Sequence, residues 1–598
     1  MPLKDYQSIH QMLKETVERY PDRTAYKWFP EVGQTDSVTW VQFYDQVRQV
    51  AKSLMALGIE KGDKVNIISY TCYEWVLADF GVTSVGAATV GIYQSNLPKD
   101  CRYIIDHSDA VIIFAEDEEQ LCKLMEIRET IPNIHKVVLF KMERPIDDDW
   151  VIGFDTFLGL GKDISNEEFQ KRIDEITPAD TAGIVYTSGT TGVPKGAVLT
   201  HDNFIFTVQS VLQYASINDG DETFLFLPLA HAYARLIVLH TMLAGVPLTF
   251  ARSMDTIIDD IKAARPDWFS SVPRIYEKVY AKVVSRAEAK GGLVLKLFRW
   301  ACDVGYAVSD CKLEKRPIPW MTGMKYKLAQ KLVFSRIREA LGGRVRWCVS
   351  GAAPLNPDIA RFFHAADILV VEGLGMTENT SFSNVNREDD YRFGWVGKPG
   401  AGIEQKIAGD GEIMIRGRNV MKEYYKMPEE TAKNITSDGW LHTGDLGEID
   451  AEDFLRVTGR KKDLIITSGG KNIAPALIEG VIATSKYIDQ VCVIGDKRKF
   501  LSALVTINPE TVQAYAEEHG ISYKSLDDLM KNRKIIQLVE GAVALKNETL
   551  ASFETVKKIT IVPEFTIENG MATPTMKLKK NIIHDKFQKE IDAMYPTD

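Results

Sequence analysis

The feature that most constrains the fold is a segment rich in glycine and hydroxyl side chains at positions 186–196, Tyr-Thr-Ser-Gly-Thr-Thr-Gly-Val-Pro-Lys-Gly. Its glycines let backbone N–H groups approach phosphate oxygens, its hydroxyls add donors, and its lysine adds positive charge. An apolar strand pattern, Ala197 to Leu199, follows at once, and the next helix starts only near Thr200. The segment therefore predicts a phosphate-binding loop that joins two strands.

Two other interpretations of this segment are a P-loop and a plain flexible turn. The P-loop of kinases and GTPases ends in Gly-Lys-Ser/Thr and runs directly into a helix. Here Lys195 is followed by Gly196, and a strand comes next. A plain flexible turn is the second alternative, but turns seldom combine four hydroxyls with a lysine.

Helix–strand alternation dominates the first two thirds of the chain. Thr39 and Gln42 have the spacing of a capping box, the apolar residues from Phe43 to Leu57 keep helical spacing, and Val65–Ile68 is typical of a strand. Further helix–strand units are predicted at Cys101–Ser108 with Ala110–Phe114, Ile257–Ala264 with Trp268–Val272, and Pro357–Ala365 with Ile368–Val371. This order predicts an α/β fold with mixed, mainly parallel sheets flanked by helices.

The chain has 598 residues, more than one hydrophobic core usually supports. After about Gly400 the pattern changes to short strands and glycine-rich turns, which predicts a small β subdomain. A charged patch at Arg460–Asp463 is followed by an α+β pattern. We therefore expect a large N-terminal domain, 1–459, and a smaller, mobile C-terminal domain, 460–598.

Charge and cysteine usage exclude several classes of protein. The net charge of −10 argues against nucleic acid as the main partner. The seven cysteines are scattered and never form a CxxC pair, which argues against a disulfide framework or a zinc site. The first residues resemble no signal peptide and no uncharged run is suited to span a bilayer, so we expect a cytoplasmic protein.

One basic region stands out in this acidic chain. Residues 281–344 carry fourteen Lys and Arg against five Asp and Glu, interleaved with aromatic and apolar side chains. A solvated helical face is one interpretation, and a surface for peripheral membrane contact or acyl-chain entry is the other.

Seven motifs together resemble a known family, the adenylate-forming (AMP-binding) enzymes. They occur in the family's order: the 186–196 loop, Leu227–His231, Ser350–Leu355, Gly373–Glu378, Gly411–Gly417, His442–Asp445 and Gly459-Arg460. Three further features resemble the long-chain fatty acyl-CoA synthetases within it, namely Arg418–Met421 with Tyr424-Tyr425, the Thr573-Pro-Thr-Met-Lys577 form of the last motif, and the 281–344 insertion. The resemblance covers nearly the whole chain.

The resemblance implies a role for each motif residue. ATP phosphates would contact Thr187, Ser188, Gly189, Thr190, Thr191, Gly192 and Lys195; adenine would contact Gly351, Ala352, Ala353, Gly373, Leu374, Gly375, Met376 and Thr377. Asp445 and Arg460 would hold the ribose, Glu378 and Thr187 would bind Mg²⁺, Lys577 would be the catalytic lysine, and His231 would shape the acyl pocket near the reacting carboxylate. Lys462 would be the hinge, and Gly469, Gly470 and Lys471 would face coenzyme A. Most relatives carry an aromatic residue where this chain has Leu374.

The implied reaction activates a fatty acid with ATP as acyl-AMP and transfers the acyl group to CoA. Two alternatives stay open on the sequence: an adenylating ligase for another carboxylic acid or for a carrier-protein thiol, and a non-catalytic protein that binds nucleotide or lipid.

Overall fold

A computed structural model describes residues 3–187, 193–468, 471–573 and 577–595. The first part of the chain contains a nine-stranded sheet. Its strands are, in spatial order, Lys398–Pro399, Asn384–Val385, Leu369–Leu374, Trp347–Ser350, Trp268–Ser271, Thr223–Leu225, Leu248–Phe250, Thr24–Trp28 and Asp36–Thr39. The central pairs, such as Trp268–Ser271 with Trp347–Ser350, are parallel, whereas the edge pairs are antiparallel.

An eight-stranded sheet lies beside it. Its strands are Glu423–Tyr424, Lys195–Thr200, Thr181–Thr187, Ala88–Ile92, Lys64–Ile68, Ala110–Ala115, Lys136–Leu139 and Val151–Gly153. Lys64–Ile68 is parallel to both of its neighbours. One continuous hydrophobic core, which runs in sequence from Tyr6 to Leu455, joins the two sheets and their helices. The predicted α/β fold with mixed, mainly parallel sheets is confirmed.

Helices cover the faces of the two sheets. They are Ile9–Arg19, Trp40–Ala56, Tyr73–Ser84, Pro98–Ser108, Glu118–Ile127, Phe154–Leu160, Asn166–Asp174, His201–Leu212, Ala232–Ala244, Ile257–Ala264, Pro273–Lys290, Gly292–Leu313, Trp320–Ala329, Ser335–Ala340, Pro357–Ala365 and Pro428–Asn434, with short 3₁₀ turns at Arg128–Thr130, Gly161–Asp163 and Thr377–Asn379 and a π-helical turn at Gln330–Phe334. The predicted capping box forms, because Thr39 accepts from the Gln42 N–H and the Gln42 side chain accepts from the Thr39 N–H. The predicted helix–strand units are also present.

The predicted small β subdomain is an antiparallel four-stranded sheet. Its strands are Glu404–Ile407, Glu412–Arg416, Leu441–Ile449 and Leu455–Arg460.

The chain beyond 460 forms an α+β unit with hydrophobic clusters of its own. It contains the hairpin Ile465–Ile466 with Asn472–Ile473, the sheet Ile488–Ile494, Leu501–Ile507 and Val556–Ile561, and the helices Pro475–Ile482, Pro509–Glu518, Leu526–Lys531, Arg533–Asn547, Lys580–Lys586 and Gln588–Met594. Separate clusters are typical of a domain with its own core. The boundary at 459/460 and the mobility of this unit stay predictions.

The basic region 281–344 is mainly helical, and two of its helices, Pro273–Lys290 and Gly292–Leu313, contact the helix Pro357–Ala365. Within the described residues, no helix is both long and apolar enough to cross a membrane.

Candidate active site

The phosphate-loop segment joins two antiparallel strands, as predicted. Thr181–Thr187 and Lys195–Thr200 are neighbours, and Thr187 stands opposite Lys195 in the register. The helix His201–Leu212 begins only after the second strand, where the Thr200 hydroxyl accepts from the Asn203 N–H. This arrangement excludes a P-loop. The predicted phosphate contacts Ser188, Gly189, Thr190, Thr191 and Gly192 lie outside the described residues.

Lys195 sits at the base of this loop, where its ammonium is paired with Glu430. The same ammonium lies 5.1 Å from the centre of the Tyr424 ring. Hydrogen bonding from Lys195 lowers the pKa of the Glu430 carboxyl to about 2. A bound polyphosphate would therefore compete with Glu430 for this cation.

Glu378 is held in the short turn Thr377–Asn379, just beyond the end of the strand Leu369–Leu374. It is buried, and its Oε1 accepts a hydrogen bond of 2.7 Å from the Tyr424 hydroxyl. Both Glu378 and Thr187 line the same cleft.

The donor set around Glu378 fits Mg²⁺ but not an ion held by protein alone. No group of three or more His, Cys, Asp or Glu residues that could hold a metal occurs within the described residues. Magnesium usually binds through one or two carboxylates together with substrate phosphates and water. A carboxylate oriented by a tyrosine, with a threonine hydroxyl on the same cleft, suits that mode of binding.

Two segments made up mostly of small residues line the cleft where adenine is predicted to bind. One segment follows the strand Trp347–Ser350 and the other ends the strand Leu369–Leu374. The residues concerned, which all line the cleft, are Gly351, Ala352, Ala353, Gly373, Leu374, Gly375, Met376 and Thr377. At Gly375 a Cβ would lie 2.0 Å from the Ser381 carbonyl oxygen, so no larger residue fits there without a backbone shift.

A carboxylate that the sequence did not single out joins these segments. Glu372 is buried beside Gly373, and its two oxygens accept from the Leu355 N–H at 3.0 Å and the Gly394 N–H at 2.9 Å. Burial raises its pKa to about 7, although both hydrogen bonds act to lower it. Glu372 thus links three segments of the adenine-side wall.

Asp445 and Arg460 face each other across neighbouring strands of the β subdomain. The Arg460 Nε donates to Asp445 Oδ1 at 2.8 Å, and the buried Asp445 lines the cleft. Because a carboxylate only accepts hydrogen bonds, its remaining acceptor capacity suits the two hydroxyls of a ribose.

Lys577 enters the cleft from the other part of the chain. Its side chain stays accessible to water in the cleft, yet protein surrounds it closely enough to lower its pKa. Arg460 lowers this pKa further, whereas Asp445 and Glu378 act to raise it, so the ammonium senses the predicted ribose and metal residues. Lys580, a neighbouring candidate, instead donates to Glu479 at 2.8 Å. The geometry thus brings Lys577 to the predicted nucleotide site and commits Lys580 to its own domain.

His231 lines the cleft next to the helix Ala232–Ala244. Its Nδ1 accepts from the Tyr233 N–H at 3.1 Å, so the ring caps this helix. Burial, assisted by the positive charge of Lys577, lowers its pKa to about 4. A neutral imidazole is therefore expected at physiological pH.

Of the residues predicted to form the hinge and to face coenzyme A, some line the cleft and others do not. Lys462 lines the cleft. Lys471 does not; its ammonium lies 5.5 Å from the centre of the Phe553 ring, and its N–H donates to the Thr467 hydroxyl. Gly469 and Gly470 lie outside the described residues. Among the described residues, the structure brings together those predicted for adenylation and leaves Lys471 apart from them.

The cleft as a whole encloses about 1680 Å³ and is lined by residues from both parts of the chain. Beyond His231 its wall continues along apolar and aromatic side chains. Those residues are Tyr233, Leu236, Ile237, Trp268, Val272, Trp347 and Val349. This wall suits an apolar substituent of a carboxylic acid.

Three residues of the site were missed as individual contributors: Tyr424, Glu430 and Glu372. Tyr424 lies in the Tyr-Tyr stretch that carries part of the resemblance, so a signal existed for it. Glu430 and Glu372 had none, because a lone carboxylate in a sequence is most often exposed.

Known proteins resemble this chain along its whole length. Residues 13–425 match the AMP-binding enzyme family and residues 462–598 match the AMP-binding enzyme C-terminal domain. Long-chain-fatty-acid–CoA ligase FadD15 of Mycobacterium bovis is 32% identical over 99% of this chain and 97% of that protein. Long-chain-fatty-acid–CoA ligase ACSBG2 of Homo sapiens is 30% identical over 98% of this chain and 92% of that protein.

Solved structures share the fold. The A domain of carboxylic acid reductase from Segniliparus rugosus, in complex with AMP and a co-purified carboxylic acid, has a TM-score of 0.78 at 20% identity, covering 99% of this chain and 94% of that one. With the family match over most of the sequence and relatives at 30% identity or more along nearly all of it, this chain belongs to the AMP-binding enzyme family.

Proposed function

We propose that the protein is a long-chain fatty acid–CoA ligase, which converts a fatty acid and ATP to acyl-AMP and pyrophosphate and then forms acyl-CoA and AMP. The observation that carries the proposal is the entry of Lys577 into the cleft that Glu378 and Asp445 line from the opposite part of the chain. The full-length relatives named as long-chain-fatty-acid–CoA ligases support the choice of substrate.

In the first half-reaction the fatty acid carboxylate attacks the α-phosphorus of ATP, and pyrophosphate leaves. Two anions must approach each other, so a fixed cation between them lowers the barrier. Lys577 supplies that cation, and Lys195 exchanges Glu430 for the departing phosphates. The apolar wall beyond His231 holds the acyl chain.

Nucleotide binding uses the other parts of the cleft. Asp445 accepts from the ribose hydroxyls while Arg460 holds one of its oxygens in place. The small residues at 351–353 and 373–375 leave room for the adenine ring, on which Leu374 packs without ring stacking. Glu378 and Thr187 would hold Mg²⁺, whose charge would offset that of the phosphates.

In the second half-reaction the CoA thiolate attacks the acyl carbonyl carbon, and AMP leaves with the electron pair of the broken acyl–phosphate bond. We assign this step to a second orientation of 460–598 relative to 1–459, with Lys462 at the hinge. Rotation would withdraw Lys577 and bring the Gly469–Lys471 loop to the thiol. The position of Lys471 outside the cleft fits the orientation in which Lys577 is in the cleft.

The decisive assay offers ATP, Mg²⁺ and CoA with straight-chain acids from acetate to stearate, and follows AMP and thioester separately. We expect acid-dependent AMP and an equal amount of thioester with long chains. No acid-dependent AMP with any substrate would refute adenylation. Formation of AMP without thioester, together with thioester formation once a carrier protein is added, would favour another acceptor.

We further propose that 281–344 contacts anionic membranes. Apolar side chains on its helices are exposed, with Leu293 at 84% and Trp320 at 74%. Trp320, Met324 and Leu328 recur every four residues and share one side of the helix Trp320–Ala329. The basic residues of these helices include Lys290, Lys296, Arg299, Lys325, Lys327 and Lys331. Exposed apolar groups beside cations are typical of a membrane-surface helix.

Sedimentation with phosphatidylserine vesicles tests this surface. Binding should weaken as salt rises, since each basic residue near the surface contributes about 1 kcal/mol. The double substitution Trp320→Ser and Met324→Ser should reduce binding severalfold, whereas Leu545→Ser, at an exposed leucine elsewhere, should not. Binding by none of these proteins, or equally by all three, would contradict the assignment.

A further inference from the structure

An ionic contact joins the two parts of the chain at the rim of the cleft. Arg274 Nη1 donates to the Asp489 backbone carbonyl at 2.5 Å, and its Nη2 donates to Asp489 Oδ2 at 2.5 Å. Both side chains are about four-fifths buried, at 21% and 18% exposure. Short hydrogen bonds between ionised groups are stronger than neutral ones, and partial burial shields them from water.

The two partners stand at informative places. Arg274 is the second residue of the helix Pro273–Lys290, which follows the strand Trp268–Ser271, and Trp268 and Ser270 of that strand line the cleft. Asp489 is the second residue of the strand Ile488–Ile494 in the C-terminal sheet. The contact therefore joins the substrate-side sheet to the core of the other unit.

A chain of hydrogen bonds leads from this contact to Lys577. Gln490, next to Asp489, donates to the Phe565 carbonyl at 2.9 Å and accepts from the Phe565 N–H at 2.8 Å. The turn that follows is closed by the Ala572 N–H, which donates to the Thr566 carbonyl at 3.0 Å. The Thr573 N–H then donates to the Lys577 carbonyl at 2.8 Å. Fixing Asp489 thus fixes the segment that carries the lysine.

A second ionic contact, at the other end of the same helix, also joins the helix to the C-terminal unit. Lys486 donates to Glu288 at 2.5 Å. The two helix positions are fourteen residues apart, about 21 Å along the axis, while their partners are only three residues apart. Arg274 from the helix and Lys486 from the C-terminal unit therefore tie two well-separated helix positions to one short segment, which resists both sliding and rotation of the C-terminal unit.

From these contacts we infer that Arg274 and Asp489 are positioning residues for adenylation, which hold the C-terminal unit in the orientation that places Lys577 in the cleft. This inference rests on the proposed two-step function, because only an enzyme that must release this orientation for the second step would be affected differently in its two halves.

The surrounding charges predict a graded effect. Glu277, one turn after Arg274, lines the same part of the cleft, and both Arg274 and Asp489 influence the pKa of its carboxyl. Removing Arg274 leaves two carboxyl groups near each other, whereas removing Asp489 leaves Arg274 with Glu277. Arg274→Ala should therefore disturb the orientation more than Asp489→Ala.

The test measures each half-reaction alone, with pyrophosphate exchange for adenylation and supplied acyl-AMP with CoA for thioester formation. We expect Arg274→Ala to slow adenylation about tenfold, which corresponds to about 1.4 kcal/mol, and to leave thioester formation unchanged or faster. Asp489→Ala should give a smaller loss of the same kind. The charge exchange Arg274→Glu with Asp489→Arg should recover much of the loss.

Arg361→Ala is the matched control, because Arg361 makes a similar two-pronged pair with Asp310 within the N-terminal part. It should change neither half-reaction selectively. Equal slowing of both half-reactions by Arg274→Ala and Asp489→Ala, or no recovery in the charge exchange, would overturn the inference. Should Arg274→Ala fail to fold, the Asp489→Ala measurement decides. An inactive wild-type protein would instead refute the proposed function itself.

Discussion

Replacing Lys577 by alanine separates the two half-reactions most cleanly. In the structure its pKa is lowered by the surrounding protein and by Arg460, while Asp445 and Glu378 act to raise it. The arrival of a carboxylate and a triphosphate adds negative charge around the ammonium, which favours its charged form. The charged form of Lys577 is therefore most favoured when both anions are present, as electrostatic stabilisation of the reaction requires.

The size of the effect follows from that setting. An ion pair on an open surface contributes about 0.2–1 kcal/mol. Removing one preorganised group that stabilises charge in an enclosed site costs about 10²–10³ in rate, or about 2.7–4 kcal/mol. Since Lys577 stands inside the cleft, we expect Lys577→Ala to lose the larger amount in adenylation and nearly nothing in thioester formation from supplied acyl-AMP.

Lys580→Ala provides the comparison. Lys580 donates to Glu479 within the C-terminal unit, so its loss should lower stability and affect both half-reactions alike. Pyrophosphate exchange and single-turnover thioester formation measure the two steps. Equal loss of both steps in Lys577→Ala, or a selective loss of adenylation in Lys580→Ala, would refute the assignment of the catalytic lysine.

Three further outcomes follow from contacts in the cleft. Tyr424→Phe removes the hydrogen bond to Glu378 and should raise the KM for MgATP about tenfold, or about 1.4 kcal/mol, with little change in kcat; an unchanged KM would show that Tyr424 does not orient the metal-binding carboxylate. Asp445→Ala should weaken ATP binding but not 2′-deoxy-ATP binding to the same degree, measured by competition, and equal weakening would argue against a ribose contact. Because the pKa of Glu372 is about 7 in the fold against an ordinary 4.5, its contribution to stability is full below pH 4.5 and is lost as the pH rises through 7. The free energy of unfolding of the wild type, measured with denaturant, should therefore fall by about 3 kcal/mol relative to that of Glu372→Gln over that range. A difference between the two free energies that does not change with pH would contradict this expectation.

The fold was predictable because its signals are local. The capping box at Thr39, the helical spacing after it and the strand pattern at Val65–Ile68 each depend on neighbours in sequence, and all three are confirmed. The order of strands within the sheets was not predictable, because pairing depends on contacts between residues far apart in the chain. Thr24–Trp28, for example, pairs with Leu248–Phe250.

The candidate site divides in the same way. Residues within contiguous motifs, such as Glu378 and Asp445, could be named before their surroundings were known. Groups that act on them from elsewhere could not. Tyr424 reaches Glu378 across forty-six positions, and Glu430 reaches Lys195 across 235. Motif residues supply the reactive groups, and distant residues set their orientation and charge.

This division explains why control of the reaction is expected outside the motifs. Glu378 and Asp445 would be present in the cleft in either orientation of the C-terminal unit, because both belong to the first part of the chain. Lys577 is present only in one. Whatever sets the balance between orientations therefore decides which half-reaction the same cleft performs, and Arg274 with Asp489 and Glu288 with Lys486 are two contacts of that kind. A contact that is too strong would trap the adenylate, and one that is too weak would leave the acid and ATP without their cation. We therefore expect selection on these contacts to favour intermediate strength, which is why hydrogen-bonded ion pairs at a solvent-accessible rim suit the task better than a buried apolar interface.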